Sequence, residues 1–218
     1  MGNCWYKDGR DLIPMEERVD PGPLKYSRSV IIFVIGGPGV GKSTLCKKLA
    51  TKYGLTLIWV SNILREEVAS GSDRGNLFKA FMEKGAVIPA AVIVQLVVRK
   101  MLAHPNAHGY LIVGFPRNKK QAVLFNSEVR PPSLLINLYA RRLVLQDRMA
   151  RRASAGERFD DTAEAVCNRV INYFTNVKGA TAPNKAVMKM IDAENNPDEV
   201  YNEVAKLIEE TLSKHSRS

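Results

Sequence analysis

A phosphate can be gripped by three things that a short peptide supplies: consecutive backbone N–H groups, the positive end of a helix, and a lysine ammonium. Gly36 and Gly41, four residues apart and followed by Lys42 and Ser43, supply all three in the pattern G-x-x-x-x-G-K-[ST]. Without a Cβ, glycine lets the backbone curl closely round an anion, and Lys42 adds a full charge to the fractional one at a helix start. The pattern carries this chemistry only between a strand and a helix. Val30 to Ile35, six apolar and largely β-branched residues, are too few for a stable helix and predict a strand buried on both faces. Leu45, Leu49 and Tyr53, four apart, predict the helix that follows. The alternative is a glycine-rich turn without a ligand. With glycine at about 7% of residues, the bare pattern arises by accident roughly once in a hundred chains of this length, and the preceding strand lowers that further.

The 218 residues, 45% of them hydrophobic, suit one large domain with a buried core. No apolar run approaches the roughly 18 residues of a membrane span, and the start lacks the apolar core of a signal peptide, so a cytoplasmic protein is expected. Cys4, Cys46 and Cys167 form no C-x-x-C pair and no His/Cys cluster, which argues for free thiols rather than disulfides or zinc. Lys and Arg outnumber Asp and Glu by 32 to 22, a net +10 that would suit nucleic acid, an acidic membrane or a highly charged small ligand. No aromatic-rich RNA signature or zinc finger accompanies the charge, so nucleic acid is not expected as a partner. Much of the excess lies between Arg141 and Arg158; Arg141 and Arg142 read as a solvated helix face.

Residues 1–28 carry Pro14, Pro21 and Pro23, scattered charges and no periodicity, and are expected to form a poorly ordered extension. Met1-Gly2-Asn3-Cys4 resembles an acylation start, with Gly2 for a myristoyl and Cys4 for a palmitoyl chain, although Tyr6 stands where Ser or Thr is expected. Weak membrane association through the N-terminus would follow.

After the first helix, Leu55 to Val60 predicts a second strand, followed by a helix carrying Arg65 and a second helix through Phe78, Phe81 and Met82 that ends at Gly85. Pro89 opens a long amphipathic helix with Val92, Leu96, Val97 and Met101 on one face. Tyr110 to Val113, Leu134 to Tyr139 and Val187 to Ile191 predict three more strands. Asn196 caps a last helix whose buried stripe is Val200, Val204, Leu207 and Ile208. Strands alternating with helices imply an α/β fold, a five-stranded parallel sheet covered by helices on both faces, with ligands at the carboxyl ends of its strands.

Four stretches in order, GGPGVGKST, LREEVASGS with EKGAVIP following, GFPRNKKQ, and RMARRASAGERFDD followed by Arg169, resemble those of the nucleoside monophosphate kinases, most closely the short-lid adenylate kinases. The resemblance runs from about Val30 to Ile208. It implies a P-loop NTPase fold over residues 29–214, with a small helical acceptor-binding insertion at about 59–88 and a short lid at about 151–161. It implies a monomer that moves the γ-phosphoryl group of ATP, carried with Mg²⁺, to AMP. On this resemblance the ATP site comprises Gly37, Gly39, Val40, Gly41, Lys42, Ser43, Thr44, Arg152 and Asn195. The acceptor site comprises Arg65, Ala86, Val87, Ile88, Gly114, Phe115, Pro116, Arg117, Gln121, Arg158 and Arg169. Lys42, Arg117, Arg148, Arg158 and Arg169 are the expected catalytic residues, and Ser43, Asp160 and Asp161 lie nearest the metal. Gln121, four beyond the turn arginine, reads the base: glutamine goes with AMP and asparagine with UMP or CMP.

The residue types suit that chemistry independently. Phosphoryl transfer crowds many phosphate oxygens together, so catalysis is mostly positioning and charge neutralisation. Arginine's fixed fork grips two oxygens at once.

The sequence also departs from the family pattern. Val113 stands where the family has an aspartate that holds water around Mg²⁺. Trp59-Val60-Ser61-Asn62-Ile63-Leu64-Arg65 replaces S-T-G-D-L-L-R, and the T-x-P segment between Tyr173 and Val187 is altered. Two alternatives stay open: a degenerate relative that binds nucleotides with little turnover, and a basic P-loop protein that binds nucleic acid.

Overall fold

A computed structural model describes residues 4–8, 11–15, 18–154 and 159–216. Five strands form one all-parallel sheet: β3 (Val30–Gly36), β4 (Thr56–Trp59), β5 (Gly109–Val113), β6 (Leu134–Tyr139) and β7 (Met188–Asp192), in the spatial order β4-β5-β3-β6-β7. β3 is central because its side chains are apolar on both faces. Ile31, Phe33 and Ile35 join one core layer while Val30, Ile32 and Val34 join the other. Strand order reverses about β3, and ligands of such sheets bind at the carboxyl ends beside that reversal.

The layer built on Val30, Ile32 and Val34 is covered by α2 (Lys42–Tyr53) and α9 (Pro197–His215). Asn196 caps α9 by accepting from the Asp198 N–H at 2.9 Å, with Pro197 in the first turn as expected. The opposite layer takes α3 (Val60–Ala69), α4 (Asp73–Glu83), α5 (Ala90–Leu102) and α6 (Lys119–Glu128). There Phe33, Phe115 and Phe125 pack edge to face with centroids 5.1 to 5.4 Å apart. α7 (Arg142–Ser154), α8 (Ala163–Thr181) and a 3₁₀ turn (Ala182–Val187) complete the path from β6 to β7.

Within residues 1–28 the described part carries three short elements. β1 (Cys4–Asp8) and β2 (Asp11–Met15) pair antiparallel, and α1 (Gly22–Lys25) buries Leu24 to 2% exposure. The Val19 N–H donates to Gln95 Oε1 at 3.2 Å, Gln95 Nε2 donates to Glu128 at 3.2 Å, and Arg18 pairs with the same carboxylate. This segment covers the outer side of α5, which is therefore buried nearly all round rather than amphipathic. Gly2 lies outside the described residues, as does the Cys4 side chain. Cys46 is a buried free thiol pushed up to about 12 by burial, against the opposing pull of Lys42; Cys167 is free and exposed. Among the described residues no helix is long and apolar enough to cross a membrane.

Candidate active site

The central crevice, a cavity of about 420 Å³, opens at the carboxyl ends of β3, β4 and β5. Its floor is the loop from Gly36 to Gly41. Gly36, Gly39 and Gly41 have φ of 151°, 76° and 94°, values that L side chains rarely adopt. A Cβ on Gly36 would lie 2.6 Å from the Leu138 carbonyl oxygen, so neighbouring β6 also demands glycine. Lys42 Nζ reaches back to donate to the Gly36 and Gly37 carbonyls at 2.7 and 2.8 Å, which keeps its charge at the loop's mouth. Ser43 and Thr44 are exposed in the first turn of α2 and line the crevice with Val40.

The walls are cationic. Arg65 of α3, Arg117 of the turn after β5, Arg148 and Arg152 of α7 and Arg169 of α8 all line the crevice with Lys42. Asp160 is the one carboxylate among the described lining residues. Asp160 and Asp161 organise three of these side chains. Arg65 meets Asp160 through Nε and Nη2, each at 3.3 Å, and Arg169 pairs with the same carboxylate and donates to the Asp160 carbonyl at 2.7 Å. Asp161 takes Arg152 on both oxygens at 2.6 and 2.7 Å and Arg169 Nη1 at 2.9 Å. Burial by itself raises the Asp160 carboxyl, yet the charges and hydrogen bonds of Arg169 and Arg65 win and hold it below the usual carboxylate range. Arg148 is docked on the Ala193 carbonyl by both terminal nitrogens at 3.1 Å.

Arg117 is different, since its guanidinium has no carboxylate partner among the described residues; Nε donates to the Gly114 carbonyl at 3.3 Å. Its pKa is depressed to about 10 by desolvation and by Arg169 and Arg65, with Asp160 opposing. The residue's exposed surface is crevice wall. It stays protonated at neutral pH, a cation held near other cations of the crevice wall.

Gln121 is 1% exposed and does not itself line the crevice. Its Oε1 accepts the Arg117 backbone N–H at 2.8 Å, which fixes the amide's orientation chemically, and its Nε2 is buried with no partner. Ala86, Val87, Ile88, Gly114 and Pro116 line the crevice as expected. Phe115 does not: it is wholly buried in the aromatic trio. Gly37 enters through its carbonyl, Asn195 is exposed in the turn after β7 away from the crevice lining, and Asp161 stands behind its arginines. Arg158 lies outside the described residues. The sequence reading passed over Trp59, Asn172 and Tyr173, which also line the crevice. Only a tryptophan at a strand end could have signalled one of them.

The crevice is bounded on one side by α8. Asn168 and Asn172 donate to the Lys84 and Gly85 carbonyls, each at 2.9 Å, and Arg169 reaches the Met82 carbonyl at 3.4 Å. Gly85, with φ of 62°, approaches so closely that a Cβ would lie 2.7 Å from the Ala165 carbonyl oxygen.

A family model described as adenylate kinase matches residues 34–185, the phosphate loop, crevice walls and α8 included. The chain belongs to the adenylate kinase family. It is similar to adenylate kinase isoenzyme 1 of Gallus gallus, 35% identical over 188 residues covering 85% of this chain and 97% of the chicken protein. Adenylate kinase isoenzyme 1 of Caenorhabditis elegans is 35% identical over 213 residues, 93% of this chain and all of the relative. This adenylate kinase family member is a phosphotransferase of the nucleoside monophosphate kinase class.

Proposed function

We propose that the enzyme transfers the γ-phosphoryl group of ATP to AMP, giving two ADP. One observation carries this reading: Lys42 and five arginines from five separate segments converge on one crevice above a phosphate-cradling loop. Arg65 and Arg117 hold the acceptor phosphate. Lys42, Arg148, Arg152 and Arg169, with Arg158, neutralise the transferring group and the donor, so that both nucleotides can be brought in line. The parts at about 59–88 and 151–161 close over them and exclude water, a competing acceptor.

For Mg²⁺, no group of three metal-ligating side chains stands together among the described residues. Asp160 and Asp161 are taken up by arginines. The exposed Ser43 hydroxyl fits as one protein ligand, with the remaining ligands coming from phosphate oxygens and water. Held there, the ion would offset charge on the phosphates.

Adenine as acceptor base rests on Gln121. Its oxygen is already used by Arg117, so only the NH₂ is left to offer, and that suits a base with an unprotonated ring nitrogen. Adenine qualifies, as does cytosine; uracil presents an N–H there. In assays with MgATP, AMP is expected to react faster than CMP, and UMP slowest. Faster UMP turnover overturns the base assignment, and tight ATP binding without any ADP production overturns the kinase reading. A monomer in the cytoplasm is part of the proposal, as is membrane attachment by acyl groups on Gly2 and Cys4. Intact mass of protein made in acylating cells tests the last point.

A further inference from the structure

Trp59 ends β4, the edge strand, and is the register partner of Val113 on β5. Both line the crevice, and both belong to the apolar layer between the sheet and α2, where the phosphate loop feeds into that helix. The indole N–H is shielded from water and meets no acceptor among the described residues. Gln121, Arg130 and Asn184 also keep a buried donor without an acceptor; Arg130 and Asn184 stand away from the crevice lining, and the Gln121 donor is the one assigned above to the base. An unpaired buried donor destabilises the fold, and phenylalanine would fill the same apolar layer without that cost.

We propose that Trp59 is a ligand-contacting residue whose indole N–H donates to a phosphoryl oxygen at the junction of donor and acceptor. The proposal rests on the phosphoryl-transfer reading. A donor suits a phosphate oxygen and does not suit a metal-bound water, which turns its hydrogens outward and needs acceptors. Val113 matters because it offers no carboxylate that would capture the N–H first. With an apolar wall around it, the bond to a charged oxygen forms away from water, where such bonds are strongest. The cations of the crevice bring the phosphate to it.

The test is Trp59→Phe, which keeps a ring and removes the donor. Melting curves with and without ATP, and with and without AMP, are taken in EDTA and compared with steady-state kinetics. The ligand-free variant is expected to melt at the same temperature or higher. One nucleotide's stabilising shift shrinks to that of about 10-fold weaker binding, and kcat/KM falls by a similar factor. A reduced ATP shift assigns the donor phosphate and a reduced AMP shift the acceptor phosphate. Unchanged shifts with unchanged kinetics overturn the proposal. If the Phe variant does not fold, a Trp5→Phe protein reports through Trp59 alone, and its emission must respond to a nucleotide or the proposal falls. Wild type that binds both nucleotides but makes no ADP sinks the kinase reading only; wild type that binds neither sinks both.

Discussion

Arg65 and Asp160 meet edge to edge, Nε to Oδ1 and Nη2 to Oδ2 at 3.3 Å each, so an arginine of α3 is held by a carboxylate just ahead of α8. Asp160, whose side chain is only 2% exposed, takes Arg169 on Oδ2 as well. A carboxylate therefore occupies arginines that the proposed mechanism assigns to phosphates. Asp160→Asn keeps the shape and removes the competing charge. Inorganic phosphate and AMP are expected to bind the variant more tightly by calorimetry, while its stability falls by about 1–3 kcal/mol because two part-buried cations lose their counter-charge.

The same carboxylate gives a pH dependence. Its pKa in the fold lies below the ordinary 3.8, so the folded protein binds its proton less readily than the unfolded chain does. The stabilisation is present above that ordinary value and is lost as pH falls through the depressed one. Wild type should therefore lose stability from near pH 4 downward more steeply than Asp160→Asn, read as urea midpoints against pH. Parallel curves would show that the pair contributes nothing.

Arg117 has the opposite sign. Its folded pKa of about 10 is below the ordinary guanidinium value, so at neutral pH its charge costs the fold rather than supports it. Arg117→Ala is expected to keep or slightly raise the melting temperature while ADP production falls by about 10³-fold. A lowered melting temperature with retained activity would make it a structural residue.

Leu24 tests whether the N-terminal segment belongs to the fold. It is buried against the layer containing α5, and Leu24→Ala should cost about 2–4 kcal/mol in chemical denaturation. A loss within error would mean that residues 18–28 lie loosely on the domain.

The sheet was legible because its strands are short apolar runs bounded by glycine, and the phosphate loop because glycine at positive φ has no substitute. β3 ends one residue later than the run predicts, at Gly36. The cover on α5 was not legible. Its anchors are single residues, Val19, Leu24 and Arg18, each meeting a partner more than 70 positions away or packing into the core, and single anchors leave no periodicity. α7 leaves little periodicity for a related reason: it buries only Leu145 and Met149, and its exposed positions mix Leu143 with Arg142, Asp147 and Arg151. The arginines could be named only through the family resemblance, since spacing does not reveal which of them share a carboxylate. Gln121 was read as offering a whole amide to the base; half of that amide serves the Arg117 backbone.

α8 begins just after Asp160 and Asp161 and carries Asn168 and Asn172, whose amides grip the carbonyls of Lys84 and Gly85. At about 1.5 Å per residue, its 19 residues make a rod roughly 28 Å long that links the Asp160–Asp161 turn to the turn at Lys84 and Gly85. On the proposed mechanism, energy spent in seating one nucleotide is expected to be shared with the seating of the other, which would make each an effector of its partner. Linkage requires the coupling to be mutual: the factor by which an inert ATP analogue tightens AMP equals the factor by which AMP tightens the analogue. Asn172→Ala, which cuts one of the two amide ties, should bring that shared factor toward one in both directions.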